Sequence, residues 1–271
     1  MSFSLNPNVY MTGPLSDAVN RLLQRETTTS AHELQTTIHP EVRFKRNSLN
    51  LLIGRRGSGK TYNVFRELIK LGAITSEYTQ LLYITNKLSD TTYHKMKAHL
   101  RMQVVKIRYD EVEAYLKGII EAKEDYQEIV EKQLGGMLEP TYEQDIKTML
   151  NVSDFSRRAI HTAVLYDDAI EVFKNKRSTL YKYLFENRQP KITYFMCIQD
   201  PFALDASVKA NIDTLWLFGG YSPQKFNSLY QQVNVPYDRE DLYSTYRDLT
   251  MNQALIIDYD RDNTRVSVMS D

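Results

Sequence analysis

Short apolar runs alternate along this chain with longer polar stretches in which apolar residues return at helical spacing. Runs at 49–53, 80–85, 163–166, 192–198 and 213–218 are rich in Leu, Ile, Val, Tyr and Phe and predict buried strands. Shorter strands are expected at 42–45 and 103–107. Helices are expected at 62–71 closed by Gly72, at 91–100, at 110–134 ending at Gly135-Gly136, and at 171–187. Two more are expected at 222–233, where Ser222 caps and Pro223 opens the first turn, and at 238–249. Segments 253–259 and 265–269, around a turn at 260–263, predict a closing β-hairpin. Residues 1–40 are polar, with a short helical pattern at 17–23, and read as an N-terminal arm before a globular domain at 41–271. Within that domain, about 109–160 reads as a helical insertion with a long surface helix.

The join between the first strand and the first long helix carries chemistry. Gly54-Arg55-Arg56-Gly57-Ser58-Gly59-Lys60-Thr61 is a G-x-x-x-x-G-K-T phosphate loop in the strand–loop–helix order the motif requires. Its glycines let backbone N–H groups close on a nucleotide's phosphates, and the helix start aims a positive dipole end at the same anion. Lys60 can reach the β- and γ-phosphates of ATP, and the Thr61 hydroxyl can ligate Mg²⁺. A second informative strand, Ala163-Val164-Leu165-Tyr166, ends in Asp167-Asp168. Asp167 can hold Mg²⁺ opposite Thr61, and Asp168 can orient or deprotonate an attacking water. Gln199, at the tip of the 192–198 strand, is placed to sense the γ-phosphate or hold that water. Asn86-Lys87-Leu88-Ser89-Asp90 looks like the guanine-reading N-K-x-D motif. It fails, because position 89 is Ser and the segment precedes the acidic strand.

Composition narrows the remaining choices. The 271 residues are 42% hydrophobic and 25% charged, as in a soluble globular protein with one large core. Lys+Arg and Asp+Glu both count 34, so nucleic acid would have to be met by a local patch or by a ring of subunits. Lys174-Asn175-Lys176-Arg177 is one such patch; the aromatics around it also suit an amphipathic helix packed on the core. A single cysteine, Cys197, sits in an apolar run and reads as a small buried hydrophobe in a reducing compartment. The five histidines lack zinc spacing, and neither a long apolar span nor a signal-peptide pattern is seen, so a soluble, non-secreted protein is expected.

Taken together, 54–61, the Asp167-Asp168 pair, Asn187-Arg188 before a hydrophobic strand, the terminal Gln199 and Lys209-Ala210-Asn211-Ile212-Asp213 resemble the viral genome-packaging ATPases of the FtsK–HerA superfamily. The likeness spans about 49–221 and resembles the poxvirus, large DNA virus and virophage type. It implies an α/β, RecA-like P-loop NTPase with a mostly parallel central sheet flanked by helices. It also implies a homo-oligomeric ring, a pentamer or hexamer, with ATP and Mg²⁺ at subunit boundaries and double-stranded DNA through the centre. Arg188 would be the arginine finger acting on the neighbour's ATP, with Arg157, Arg158 and Arg177 as rivals; Gln199 would be the sensor. Asp168 stands where cellular members carry Glu, and its shorter side chain leaves the general base less defined than the metal acid. Contact with capsid or internal-membrane proteins at the packaging vertex, and a place in the host cytoplasm (virus factory) and the virion, follow from the same resemblance. Two other readings fit a phosphate loop: a nucleotide or nucleic-acid kinase, and a weakly hydrolysing, nucleotide-bound structural subunit of the virion.

Overall fold

Each apolar run expected to be buried is a strand, and the polar stretches between them form the flanking helices. A computed structural model describes residues 42–87, 89–173, 178–200, 202, 204–233, 235, 237–259 and 264–269. The expected arm at 1–40, the basic segment 174–177 and the turn at 260–263 lie outside the described residues. The strands are β1 (Leu49–Ile53), β2 (Tyr78–Ile84), β3 (Gln103–Ile107), β4 (His161–Asp167), β5 (Ile192–Ile198), β6 (Thr214–Phe218), β7 (Ala254–Asp258) and β8 (Arg265–Val268). The helices among the described residues are α1 (Lys60–Ile74), α2 (Thr91–Met96), α3 (Val112–Lys132), α4 (Pro140–Leu150), α5 (Thr179–Phe185), α6 (Ala206–Ala210), α7 (Pro223–Tyr230) and α8 (Arg239–Arg247).

The sheet has eight strands in the order β3-β2-β4-β5-β1-β6-β7-β8. From β3 to β6 every neighbouring pair is parallel, and β7 and β8 add on antiparallel. Parallel strands covered on both faces need apolar side chains on both, which is why the runs are continuous and do not alternate. On one face, Leu49, Leu51, Ile53, Tyr166 and Tyr194 pack with Leu116 and Ile119 of α3 and with Phe226 of α7. On the other, Leu52, Leu165, Phe195 and Trp216 pack with Val64, Phe65 and Leu68 of α1. The expected α/β architecture with a mostly parallel central sheet is what the structure shows.

Several local expectations are corrected. Gly72 does not close the first helix: α1 runs through it to Ile74, and a Cβ there would meet the Arg101 Cβ at 3.3 Å, so the position serves close packing. The expected helix at 171–187 is broken, because Ser178 is extended and caps α5 through its hydroxyl, which accepts from Tyr181 N–H, and Ile170–Phe173 form a 3₁₀ turn. Residues 42–45 form no strand, yet Val42 and Phe44 are buried, with Phe44 edge-to-face on Phe195 at 4.9 Å. The long insertion helix is only half a surface element, since Leu116 and Ile119 belong to the main core.

Two buried groups pin the strand starts. Lys123 of α3 donates from Nζ to the carbonyls of Ile160 (3.1 Å), Pro190 (2.7 Å) and Lys191 (3.3 Å). Its burial lowers its pKa well below the usual lysine value, and the carbonyl cage is what makes the position tolerable. His161 stacks on Tyr78 at 5.2 Å, with Nδ1 2.9 Å from Asn47 Oδ1. Burial first, then the cations Lys123, Arg46 and Lys191, push its pKa down to about 3. An unfolded chain takes up this proton near pH 6.5 while the folded one does not until about 3. The unfolded state therefore binds more protons across that window, and stability present above it falls as the pH drops through it. Unfolding free energies from urea titrations should fall on acidification from pH 6.5, and more steeply in the wild type than in His161→Phe, by up to about 1.4 kcal/mol per pH unit. Parallel pH profiles for the two proteins would assign the slope elsewhere.

Candidate active site

Because β5 lies between β4 and β1, the C-terminal tips of three parallel strands stand side by side. The register sets Asp167 opposite Cys197 and Ile53 opposite Ile198, so 54–61, Asp167-Asp168 and Gln199 share one edge of the sheet. The phosphate loop is held there by tight packing. Gly54 N–H donates to Ile198 O at 3.2 Å, and a Cβ on Gly54 would come within 2.7 Å of the Phe218 Cβ. Gly59 caps α1 in the left-handed region at φ 91°, where a Cβ would meet Asn252 Oδ1 at 2.3 Å. Asn63 ties the same junction, its Nδ2 donating to Gly59 O and Asn252 O, each at 3.0 Å. The first turn of α1 has neither a side-chain cap nor an acidic residue, which leaves its amides and dipole for an anion.

The cations of the loop differ in setting. Lys60 is buried, and its Nζ donates to the carbonyls of Gly54 (2.7 Å) and Arg55 (2.9 Å). Burial lowers its pKa, and the nearby Asp168 and Asp167 act against that shift. Arg55, Arg56 and Gly57 are exposed at the loop's crest, while Ser58 turns back, its N–H donating to Arg55 O at 3.2 Å.

Asp167 is the centre of the acidic side. It is 2% exposed, and Thr61 Oγ1 donates to its Oδ1 at 2.9 Å. Its Oδ2 accepts from Lys87 Nζ at 2.6 Å and from Tyr83 OH at 2.9 Å, while Tyr109 OH donates to its carbonyl at 2.9 Å. Burial opposes charge on Lys87, but the Asp167 carboxylate outweighs it and raises the pKa. Burial and then the Asp167 and Asp168 charges push Tyr109 up to about 12, so it stays a donor. Asp168 sits in the left-handed region at φ 58°, its N–H donating to Cys197 O at 3.0 Å and its carboxylate accepting from Gln199 Nε2. Tyr221 OH in turn donates to Gln199 O at 2.7 Å. Cys197 is buried, and burial raises its pKa well above the thiol range, in keeping with an inert hydrophobe.

Lys60, Thr61, Asp167, Asp168 and Gln199 are thus brought together. Arg188 is not. It precedes β5 at the opposite edge of the sheet, where its Nη2 lies 3.5 Å from Asp213 Oδ1 and Asp213 Oδ2 accepts from Leu49 N–H at 2.8 Å. Burial raises the Asp213 pKa, and the Arg188 guanidinium acts against that rise. A seven-residue strand spans about 23 Å, more than an arginine can reach, so Arg188 cannot serve the phosphate loop of its own chain. Of its rivals, Arg157 and Arg158 are exposed and Arg177 lies outside the described residues. Tyr83, Lys87, Asp90 and Tyr109 were not foreseen as site residues; the adjacency of β3, β2 and β4 reveals them.

Among the described residues no group of three or more His, Cys, Asp or Glu forms a metal cage. Mg²⁺ needs none: one carboxylate, one hydroxyl and nucleotide oxygens suffice, and the hard oxygens of Thr61 and Asp167 are of that kind. Gly59→Ala should strain the αL turn by about 1–2 kcal/mol and also drive a methyl into Asn252. Titration with a fluorescent ATP analogue should show at least a roughly tenfold loss of affinity, partly recovered by adding Asn252→Ala. Undiminished affinity would show that the loop does not depend on this turn.

No family model and no curated protein matches the chain. Solved structures do. The DNA-packaging ATPase B204 from Sulfolobus Turreted Icosahedral Virus is 15% identical with a TM-score of 0.50, over 81% of this chain and 96% of that one. B204 from Sulfolobus turreted icosahedral virus 2 in complex with ATP-gammaS gives the same identity, coverage and TM-score. EssC (ATPases 2 and 3) from Geobacillus thermodenitrificans is 16% identical with a TM-score of 0.50, over 81% of this chain and 39% of that one. The chain has the fold of these ATPases.

Proposed function

We propose that this chain is an ATP-hydrolysing motor of the FtsK–HerA type that moves double-stranded DNA into a preformed viral capsid. The observation that carries the ATPase reading is the Thr61–Asp167 hydrogen bond of 2.9 Å, which joins the phosphate loop to the acidic strand tip. It brings together one hydroxyl and one carboxylate, the hard oxygens that would hold a nucleotide-bound Mg²⁺. Asp168 and Gln199, in mutual contact one strand over, form a polar pair suited to holding and deprotonating a water. The DNA and capsid part rests on the packaging ATPase that shares this fold along nearly its whole length. No helix of the described residues is long and apolar enough to cross a membrane.

The chain's own groups divide the work. Backbone amides of the phosphate loop and α1 cradle the phosphates, and Lys60 leaves its loop carbonyls to bind the terminal ones. Bound Mg²⁺ would supply further neutralisation of the phosphate oxygens. Asp168 takes the proton of the attacking water while Gln199 orients both. Arg188, standing at the opposite edge, reaches the ATP of a neighbouring subunit in a five- or six-membered ring and stabilises charge there. Hydrolysis completed only by a neighbour couples chemistry to ring geometry, as stepwise DNA movement requires. The action takes place in the host cytoplasm, with capsid or internal-membrane proteins docking the ring at the packaging vertex of the virion.

ATP hydrolysis should be stimulated by double-stranded DNA and should fall roughly 100-fold or more in Lys60→Ala and in Arg188→Ala. Mixing those two inactive proteins should restore activity, because an intact phosphate loop then meets an intact arginine across a boundary. Failure of the mixture would remove Arg188 from the neighbour's site. Hydrolysis indifferent to DNA would leave the ATPase standing and remove the motor.

A further inference from the structure

The segment that fails as a guanine-reading motif has another use. Leaving β2 beside the acidic strand, it brings Lys87 onto Asp167 and Asp90 onto Tyr83, whose hydroxyl lies between the two carboxylates. Lys87 Nζ lies 2.6 Å from Asp167 Oδ2. The same oxygen accepts from Tyr83 OH, and Tyr83 OH also meets Asp90 Oδ2. A phenol has one proton, so at any moment it can serve one of these two carboxylates. Both are buried, Asp167 at 2% and Asp90 at 9% exposure. The ammonium of Lys87 therefore balances negative charge that hydrogen bonds alone do not satisfy.

The setting of Lys87 suits an ion that holds this place and can leave it. Its side chain is 46% exposed, against 3% for Asp167, so one partner is fixed in the protein and the other stands at the water boundary. Its main chain is anchored separately: the N–H donates to Thr85 Oγ1 at 3.1 Å and the carbonyl accepts from Lys106 Nζ at 2.6 Å. The four-carbon stem can thus swing while the loop stays in place. With Thr61 on Oδ1, and Lys87 and Tyr83 on Oδ2, the carboxylate's acceptor positions are largely occupied by protein donors.

We infer that Lys87 is the resident counter-ion of the divalent-metal site, competing with the metal for Asp167 and yielding when metal and nucleotide arrive together. The inference rests on Thr61 and Asp167 being that metal site. It gives the chain a reason to bind metal poorly alone and well with a nucleotide, whose phosphates attract both the metal and the displaced ammonium.

The test is Mn²⁺ binding, followed by the paramagnetic resonance signal of the free ion, with and without ADP. The proteins are the wild type, Lys87→Met, Lys87→Arg and Asp167→Asn. Lys87→Met should bind Mn²⁺ roughly tenfold more tightly than the wild type, with the larger gain in the absence of ADP. Lys87→Arg should stay near the wild type, and Asp167→Asn should lose binding. Unchanged or weaker binding by Lys87→Met, beside a loss in Asp167→Asn, would overturn the role of Lys87 and leave the metal site intact. Equal binding by the wild type and Asp167→Asn would overturn the metal site and the inference with it. Should Lys87→Met melt below the assay temperature, Lys87→Gln, which removes the charge and keeps a donor for Oδ2, decides by the same comparison.

Discussion

The hydrogen bond from Thr61 to Asp167 depends on two elements far apart in sequence arriving within 2.9 Å of each other. Thr61 stands in the first turn of α1 and Asp167 ends β4, with β5 intervening in the sheet. Nothing local fixes that distance. It is set by the stacking of α1 on β4 and β5 through Val64, Phe65 and Leu68 on one side and Leu165 and Phe195 on the other. Interiors are close-packed, so a change of one methylene there is transmitted to the strand tips with little slack. The apolar core is in this sense the ruler by which the polar edge is spaced.

That division also explains what could be read from the sequence. The phosphate loop is contiguous, and its strand–loop–helix order is a local pattern, so Gly54 to Thr61 were legible one by one. The buried strands were legible because strands covered on both faces must be apolar throughout; β5 matches its expected bounds at both ends. Gly72 misled because a glycine in a helix packed tightly on Arg101 looks, in one dimension, like a glycine that ends a helix. The 3₁₀ turn before α5 was missed because the apolar and aromatic spacing continues across Ser178, whose capping hydroxyl decides the break. Tyr83, Lys87, Asp90 and Tyr109 could not be found by motif at all. They become site residues through the order β3-β2-β4, which brings the segments at the ends of β2 and β3 to Asp167.

The insertion is bound to the fold at a point that sequence reading treated as solvated helix. Lys123 caps carbonyls at the starts of β4 and β5, the second of which follows directly on the turn carrying Arg188. That turn is closed by Lys191 N–H to Arg188 O at 3.2 Å and Ile192 N–H to Asn187 O at 2.9 Å. An unpaired lysine is a costly group to bury, and three carbonyls satisfy its donors without a counter-charge. The hairpin of α3 and α4 is therefore continuous with the sheet at the edge away from the phosphates.

On the proposed role of Arg188, placing the phosphate loop at one edge of the sheet and Arg188 at the other makes the chain a directional object, with a face that needs and a face that supplies. A two-fold pairing would set like edges together and leave both functions unmatched. Contacts that join unlike edges repeat in one direction only, and they end either in a closed cyclic ring or in an open helical filament. On the reading that Arg188 serves a neighbour, the symmetry of the assembly is already written in a single chain: rotation about one axis, with every copy facing the same way and a common polarity along that axis.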